Sequence, residues 1–257
     1  MGKLRSVWLR WREAAAQYGP RRASVYTFRL LVARRATRLA NRLLPARVEC
    51  PCCGWKGHRF HDYLEPGYVL PGVICPSCES HPRHRALYLW LKVSSDVLDR
   101  AGVALMFAPE RSLADLWSTA SRLQRIKVDI DIARDVDLVA DIRALPFADG
   151  SVDLVWCHHV LEHVEDDRAA IRSLAAVLKR GVGELIVSVP TVRGARTREF
   201  GAPDPLQTGH WRVYGDDFID RLRECGLLAR EIGFKFSKRQ VEMHVLFDEP
   251  VFQCVRA

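Results

Sequence analysis

Two kinds of apolar segment are missing from this chain. No uninterrupted apolar run approaches the ~20 residues that a helix needs to cross a bilayer. The N-terminal region also lacks an apolar stretch followed by a small-residue cleavage site, so we expect no secretory leader and a cytoplasmic protein. At 257 residues, the chain is long enough for one sizeable core with a small appendage.

Acidic residues are almost absent from the first 47 positions. This segment holds 12 Lys and Arg and a single acid, Glu13, which gives it a net charge of +11, whereas the rest of the chain carries −3. The basic character of the protein, +8 overall, therefore belongs to an N-terminal arm. An evenly basic surface of the kind that suits nucleic acids is not indicated.

Residues 1–47 have the pattern of one or two basic helices. Apolar residues at three- and four-residue steps form a stripe, and arginines occupy much of the remaining surface. The stripe consists of Val25, Phe28, Val32, Ala36, Leu39 and Leu43. Four interpretations stay open: a helix packed on its own protein, attachment of the cytoplasmic protein to an anionic membrane surface, an RNA-contacting arm, and a transit peptide.

The cysteines lack the spread of a secreted disulfide framework. Five of the eight crowd into 29 residues, in the segments Cys50-Pro51-Cys52-Cys53 and Cys75-Pro76-Ser77-Cys78. Two C-x-x-C turns bring four thiolates around one ion, which favours a structural Zn²⁺ in a reducing compartment. The predicted ligands are Cys50, Cys53, Cys75 and Cys78. The alternatives, if one thiolate is not used, are Cys52, His58, His61, His81 and His84.

Beyond the cysteines, predicted strands alternate with predicted helices, which indicates a parallel α/β sheet. We expect strands at 103–108, 125–130, 136–140, 152–157 and 183–189, and a final antiparallel pair at 227–236 and 251–255. Helices are predicted at 82–97, 112–123, 167–178 and 216–225. The predicted domains are a basic helical arm (1–47), a zinc module (48–85), a linking helix (86–100) and an α/β domain (101–257).

The predicted strand at 152–157 ends in proton-active side chains. Cys157, His158 and His159 close the apolar run, and Glu162 and His163 follow on the next turn. Open α/β sheets bind ligands at the carboxyl ends of their strands, so we expect a site here. His158 and His159 are candidate general bases near pH 7, whereas Glu162 and His163 are expected to hold the site together.

A Gly- and Pro-containing insertion at 190–212 is expected to form a lid over this site. The stretch Gly209-His210-Trp211-Arg212 lies within it and Tyr214 follows shortly after. His210 is a third candidate base, and the aromatic side chains either enclose an acceptor or cover the core.

A longer pattern surrounds the strand at 152–157. An acidic residue after a strand is followed by Leu145-Pro146-Phe147, then by Asp149-x-Ser151-x-Asp153, and then by His-Val-Leu-Glu-His at 159–163. In this pattern the chain resembles the class I S-adenosylmethionine (SAM)-dependent methyltransferases related to ubiquinone and menaquinone methyltransferases, over roughly residues 101–257. The resemblance implies a Rossmann-like sheet with helices on both faces, here preceded by the zinc module and the basic arm.

The resemblance also implies where SAM would bind. The loop after the first strand would meet its amino acid portion; this loop is Ala108-Pro109-Glu110, whereas the family typically has Gly-x-Gly. A carboxylate after the second strand would accept hydrogen bonds from the ribose, and Asp129 and Asp131 both qualify.

The third and fourth strand ends complete the predicted SAM site. Asp141 would receive the adenine amino group with Ile142 packed on the ring, unless Asp141 is only a turn cap. Cys157 and His158 would lie near the methyl group.

Three functions are compatible with these patterns. The leading hypothesis is a SAM-dependent methyltransferase that acts on an oxygen, nitrogen or carbon nucleophile of a small or lipid-like molecule. An RNA base methyltransferase is the second, because a cysteine module ahead of this fold resembles the rRNA guanine-N1 methyltransferases; the slightly acidic body weighs against it. The third is a non-catalytic zinc and Rossmann interaction protein, which only the glycine-free loop supports.

Overall fold

The computed structural model describes residues 8, 11–12, 14–16, 18–64, 69–132, 135–247 and 249–257. The chain forms two compact units. The first comprises residues 1–89 and 236–247, and the second comprises residues 90–235 and 248–257. Glu13 and most of the first turns of the predicted basic arm lie outside the described residues.

Helix α1 (Pro20–Leu43) opens the described part of the first unit. It begins after Gly19 with a proline in its first turn, where the missing N–H costs no hydrogen bond. Its buried face consists of Ala23, Leu30 and Thr37, whereas Phe28 is 68% exposed and Leu43 is 72% exposed. Each of these buried residues is followed two positions later by a residue of the apolar stripe. Two positions turn a helix by about 200°, so the buried face lies opposite the stripe. Of the open interpretations, packing of the apolar stripe on the described part of the protein is therefore not what the structure has.

Four short strands and a helix follow in chain order. Strands β1 (Val48–Glu49) and β2 (Lys56–Gly57) pair antiparallel, as do β3 (His61–Leu64) and β4 (Val69–Ile74). Helix α2 (Pro82–Val93) starts in the first unit and ends in the second. The core of the first unit includes a small cluster made of Cys50, Phe60 and Cys75.

The second unit contains a seven-stranded sheet with the order β12-β13-β9-β8-β5-β6-β7. Its parallel strands are β5 (Gly102–Phe107), β6 (Leu123–Asp129), β7 (Leu138–Val139), β8 (Leu154–His158) and β9 (Glu184–Ser188). Strands β10 (Arg198–Asp204) and β11 (His210–Val213) form a separate hairpin. Strand β13 (Val251–Arg256) runs antiparallel to both β9 and β12 (Leu227–Ile232). The predicted Rossmann-like sheet is confirmed, and the carboxyl ends of β5 to β9 meet at one edge.

Three helices belong to the second unit: α3 (Ala114–Ser118), α4 (Asp167–Val177) and α5 (Phe218–Glu224). Asp166 caps the start of α4, because its carboxylate accepts a hydrogen bond from the Ala169 N–H at 2.8 Å. Helix α3 is shorter than predicted because the hydroxyls of Ser118 and Thr119 donate to the preceding turn at its end. All five residues of β8 are buried.

Helix α6 (Lys238–His244) was not predicted. It begins with a capping box between Ser237 and Gln240 and belongs to the first unit, far along the chain from the cysteines. His244 fastens it there, because its Nδ1 lies 2.8 Å from the Glu49 carbonyl oxygen. In the part of the chain that the structure describes, no helix has the length and apolarity required to span a bilayer.

Candidate active site and cysteine cluster

The loop after β5 takes the turn that a glycine usually supplies. Ala108 has φ 43, in the left-handed region that side chains other than glycine rarely adopt. Its N–H donates to the Val128 carbonyl at 3.0 Å, which fixes the loop beside the end of β6. Glu110 accepts a hydrogen bond from Trp156 Nε1 at 3.1 Å, so the loop is also held against β8.

The carboxylate of Asp129 stands at the end of β6. It is half-buried, and its Oδ1 accepts the Asp131 N–H at 3.0 Å in a tight turn. Two flanking apolar side chains, Ile130 and Ile132, are 72% and 84% exposed. The second strand end therefore combines a carboxylate with apolar surface.

The carboxylate of Asp141 follows β7 and pairs with Arg143. Arg143 donates to it from its backbone N–H at 2.9 Å and from Nη2 at 2.7 Å, and these bonds lower the pKa of Asp141. The backbone bond makes Asp141 a turn cap, and its half-buried side chain is also the one predicted to meet the adenine. Ile142 lies in the core, with its side chain buried.

The end of β8 divides its side chains between the two faces of the sheet. The Cys157 thiol points into the core, where burial raises its pKa, so a ligand at the strand end would reach only its backbone. His158 lies on the other face with its ring 4.1 Å from that of Trp156. Its Nδ1 is 2.7 Å from Ser188 Oγ on β9.

His159 adopts φ 55 and lies between two carboxylates. Its Nε2 pairs with Glu249, and its Nδ1 lies 3.3 Å from Glu162 Oε1. Burial alone would raise the pKa of Glu162, but the neighbouring His159 and, to a smaller extent, His163 lower it below its ordinary value.

The β10–β11 hairpin places His210 beside this cluster. The His210 and His163 rings meet edge to face at 4.7 Å, and burial lowers the pKa of His210. Arg212 holds the hairpin in place, because its buried guanidinium donates to the carbonyls of Leu161, Val164 and Glu165.

A buried polar network behind the hairpin was not predicted. Asp167 accepts hydrogen bonds from the Tyr214 hydroxyl at 2.9 Å and from Arg221 at 2.8 Å. Glu199 on β10 accepts from Arg212 at 2.8 Å. Tyr214 therefore covers the core, the second of its two predicted positions. The period-two spacing of His210, Arg212 and Tyr214 is the signal that could have indicated an inward-facing row.

Four thiols of the first unit converge on one point. The Sγ atoms of Cys50, Cys53, Cys75 and Cys78 all lie within 4.8 Å of one another. The Cys50–Cys78 and Cys53–Cys75 distances are 3.6 and 3.7 Å. A tetrahedral Zn²⁺ with Zn–S bonds of ~2.3 Å has sulfur atoms about 3.8 Å apart, so the geometry fits this ion. The alternatives, Cys52 and the four histidines, are not part of this group among the described residues.

Arg85 is fully buried next to these thiols, and no sequence pattern singled it out. Its guanidinium donates to the carbonyls of Val73 and Ser80 at 3.0 and 2.7 Å, and to those of His244 and Val245 at 2.6 and 3.0 Å. It thereby joins β4 and the loop after it to the end of α6.

Comparison with known proteins gives partial matches. Residues 109–187 match the family described as a methyltransferase domain. A demethylmenaquinone methyltransferase of Mycolicibacterium vanbaalenii is 36% identical over 107 residues, 40% of this chain and 46% of that protein. A ubiquinone/menaquinone biosynthesis C-methyltransferase of Cronobacter sakazakii is 31% identical over 137 residues, 51% of this chain and 49% of that protein.

Among solved structures, the YcgJ protein of Bacillus subtilis covers 67% of this chain and 98% of its own length, at 16% identity and a TM-score of 0.47. This TM-score is too low to support the fold assignment, which rests on the strand order of the sheet. The chain spans about half the length of the curated relatives it matches. The resemblance seen in the His-Val-Leu-Glu-His pattern is confirmed over residues 109–187, which run from the loop after β5 into β9.

Proposed function

We propose that the second unit transfers a methyl group from SAM to an oxygen, nitrogen or carbon nucleophile of a small or lipid-like molecule. The observation that carries this proposal is the match of residues 109–187 to the methyltransferase domain. That segment contains the ends of β6 to β8, at the edge where this type of sheet binds ligands.

The described residues fit SAM. Ala108 supplies the left-handed turn, so the missing Gly-x-Gly does not deprive the loop of its conformation. Asp129 offers a carboxylate suited to ribose hydroxyls, and Ile130 and Ile132 offer apolar surface suited to an adenine ring. When bound, SAM supplies an electrophilic methyl group on a sulfonium.

We assign the amino acid portion of SAM to the loop 108–110, the ribose to Asp129 with Asp131 beside it, and the adenine amino group to Asp141. Because Ile142 is buried in the core, the exposed Ile130 and Ile132 suit the adenine ring better than the predicted Ile142. The pairing of Asp141 with Arg143 does not oppose this. An exposed ion pair contributes only ~0–1 kcal/mol, so an adenine amino group can displace the arginine. The backbone of Cys157 and the ring of His158 would lie toward the methyl group.

We propose that His158, His159 and His210, the three predicted bases, help to position the reactants. Their rings already have partners: Ser188 for His158, Glu249 for His159 and Thr208 for His210. Much of the catalysis in a methyl transfer comes from holding the two reactants in line. A proton-accepting role for His158, His159 or His210 stays a prediction.

We propose a structural Zn²⁺ on Cys50, Cys53, Cys75 and Cys78. The sulfur–sulfur distances support it, and four thiolates leave no coordination position for a substrate. The ion would stabilise the first unit and take no part in the chemistry.

We also propose that α1 binds an anionic membrane surface, which suits a lipid-like acceptor. Its apolar stripe is exposed and its sequence contains no acid. The surrounding arginines are exposed as well: Arg21, Arg22, Arg29, Arg35, Arg38 and Arg42. An apolar stripe flanked by cations matches the headgroup boundary of a bilayer. Contact with RNA would use the arginines but not the stripe.

Calorimetry with SAM tests the methyltransferase proposal. We expect the purified chain to bind SAM, and Asp129→Ala to weaken the affinity by a factor of ten to a hundred, since a lost charged acceptor costs about 1.5–3 kcal/mol. Asp141→Ala should have the smaller effect, and Asp135→Ala, an exposed acid in the loop after β6, should have none. A folded chain that does not bind SAM would support the non-catalytic alternative.

Co-sedimentation with vesicles that contain phosphatidylserine tests the α1 proposal. Replacing Val25, Phe28 and Leu39 by serine should abolish binding at moderate salt without unfolding the chain, because all three side chains are exposed. The matched control replaces the exposed Val182 and Leu228 by serine and should still bind. Binding to RNA but not to vesicles would contradict the proposal.

A further inference from the structure

Three side chains next to the predicted SAM site have the arrangement of metal ligands. One donor atom each from Glu162, His163 and His210 lies within 4.8 Å of the other two. We propose that this group binds a divalent transition-metal ion. The sequence predicted other roles for these residues: Glu162 and His163 were expected to hold the site together, and His210 to accept a proton.

The buried carboxylate of Glu162 requires a counter-charge. Glu162 is 1% exposed, and neither of its oxygens has a hydrogen-bond partner among the described residues. The His159 ring lies 3.3 Å away, outside hydrogen-bonding geometry, and it also pairs with Glu249. His159 is thus shared between two carboxylates, and the Glu162 oxygens have no hydrogen-bond donor of their own among the described residues. Burying a carboxylate without hydrogen-bond donors is costly, and a metal cation bound to it would offset that cost.

The fold holds the three ligands in place from two directions. Glu162 and His163 are adjacent in a short turn after β8, so their relative position is set by that turn. His210 comes from β11, which Arg212 fastens to the same turn through the carbonyls of Leu161 and Val164. Thr208 Oγ1 lies 3.1 Å from His210 Nε2 and orients the ring, as partners outside the metal shell commonly do.

The donor set indicates the class of ion. Two imidazoles and one carboxylate suit Zn²⁺, Mn²⁺ or Fe²⁺, whereas Mg²⁺ and Ca²⁺ prefer oxygen ligands throughout. Three protein ligands leave positions open, unlike the four-thiolate group of the first unit. An oxygen of the methyl acceptor would suit an open position. That extension rests on the proposed methyl transfer, but metal binding itself does not.

Mn²⁺ binding to the full chain, purified with its zinc, tests the site. Zinc content is measured first, and Mn²⁺ is then titrated and followed by the loss of its free electron paramagnetic resonance signal. Thiolates favour zinc over this harder ion, so Mn²⁺ should leave the cysteine cluster unchanged. We expect one Mn²⁺ per chain, with an affinity at least about tenfold weaker in Glu162→Gln and in His163→Ala.

The control is Glu165→Gln, which removes the same charge from an exposed position three residues away and should bind Mn²⁺ like the parent. His163 is exposed, so His163→Ala should fold normally even if Glu162→Gln does not. Mn²⁺ should raise the melting temperature of the parent but not that of His163→Ala. No Mn²⁺ binding by a folded parent that carries one zinc per chain, or equal binding by His163→Ala, would overturn the proposal. A second zinc in the parent that is lost in His163→Ala would support it. SAM calorimetry on the same samples reports separately on the methyltransferase proposal.

Discussion

Each of the two units of this chain is stabilised internally by a different kind of interaction. The second unit packs a seven-stranded sheet against apolar helix faces, with buried side chains such as Val155, Ile171 and Leu174. The first unit has strands of two to six residues, a small cluster around Phe60, four converging thiols and one buried arginine. Apolar packing therefore dominates in the second unit, whereas the first has a smaller apolar cluster, the buried contacts of Arg85 and, as we propose, an ion held by the four thiols.

Because of this difference, the two units should tolerate different kinds of substitution. An apolar core tolerates substitutions that keep its volume, because its driving force is non-directional. A site built from thiolates or from a five-donor guanidinium depends on each atom, because a lost partner leaves a buried group unsatisfied. Single polar substitutions should thus affect the first unit more than single conservative apolar ones affect the second.

Cys75→Ser should have the largest effect, because the ion contributes most of the folding free energy of a small metal-dependent module. We expect loss of the zinc and unfolding of residues 48–85, while the sheet of the second unit stays intact. Cys52→Ser, just outside the four-thiol group, should keep the zinc and the fold. Elemental analysis and hydrogen exchange measured by mass spectrometry distinguish the two variants. An intact first unit in zinc-free Cys75→Ser would remove the contrast between the units.

Arg85→Met should have the next largest effect. Methionine keeps much of the side-chain volume but leaves the carbonyls of Val73, Ser80 and His244 without their donor. Each hydrogen bond with a charged group is worth about 1.5–3 kcal/mol, so we expect the first unit to lose about 3 kcal/mol or more. Hydrogen exchange should rise first in α6, which Arg85 ties down. Arg83→Met on the same helix is the control, and equal exchange in both variants would show that Arg85 is dispensable.

The same contrast explains what the sequence predicted. Short apolar runs that alternate with helical patterns located the strands of the second unit, because a parallel strand covered on both faces, such as 154–158, buries every side chain. The C-x-x-C spacing predicted the thiol cluster, because the ligands of one ion must lie close together. Helix α6 was missed because Arg85 and His244 attach it through single polar contacts, which leave no periodic signal.

The sequence predicted which candidate site residues stand at the strand ends, but not which side chains they contact. The strand ends gave Asp129, Asp141 and His158, since any parallel sheet brings such residues to one edge. The position of His210 beside Glu162 depends on Arg212, a buried arginine whose hydrogen bonds are made to backbone carbonyls. Carbonyls are present at every residue, so sequence patterns do not show which ones an arginine will reach.

The smallest of these effects is expected for a substitution of Ala108. This substitution tests whether backbone geometry matters as much in the second unit as side-chain identity does in the first. A β-branched residue strongly disfavours the left-handed conformation that Ala108 adopts at φ 43. Ala108→Val should therefore destabilise the second unit by about 1–3 kcal/mol, and it should weaken SAM binding if the loop meets this ligand. Ala101→Val is the control, because Ala101 is exposed just before β5 and has no positive φ. Exchange rates of β5 and β8, with calorimetry on both variants, measure the two effects. Equal stability of the two variants would show that the loop accepts valine without strain, and the alanine would then not stand in for a glycine.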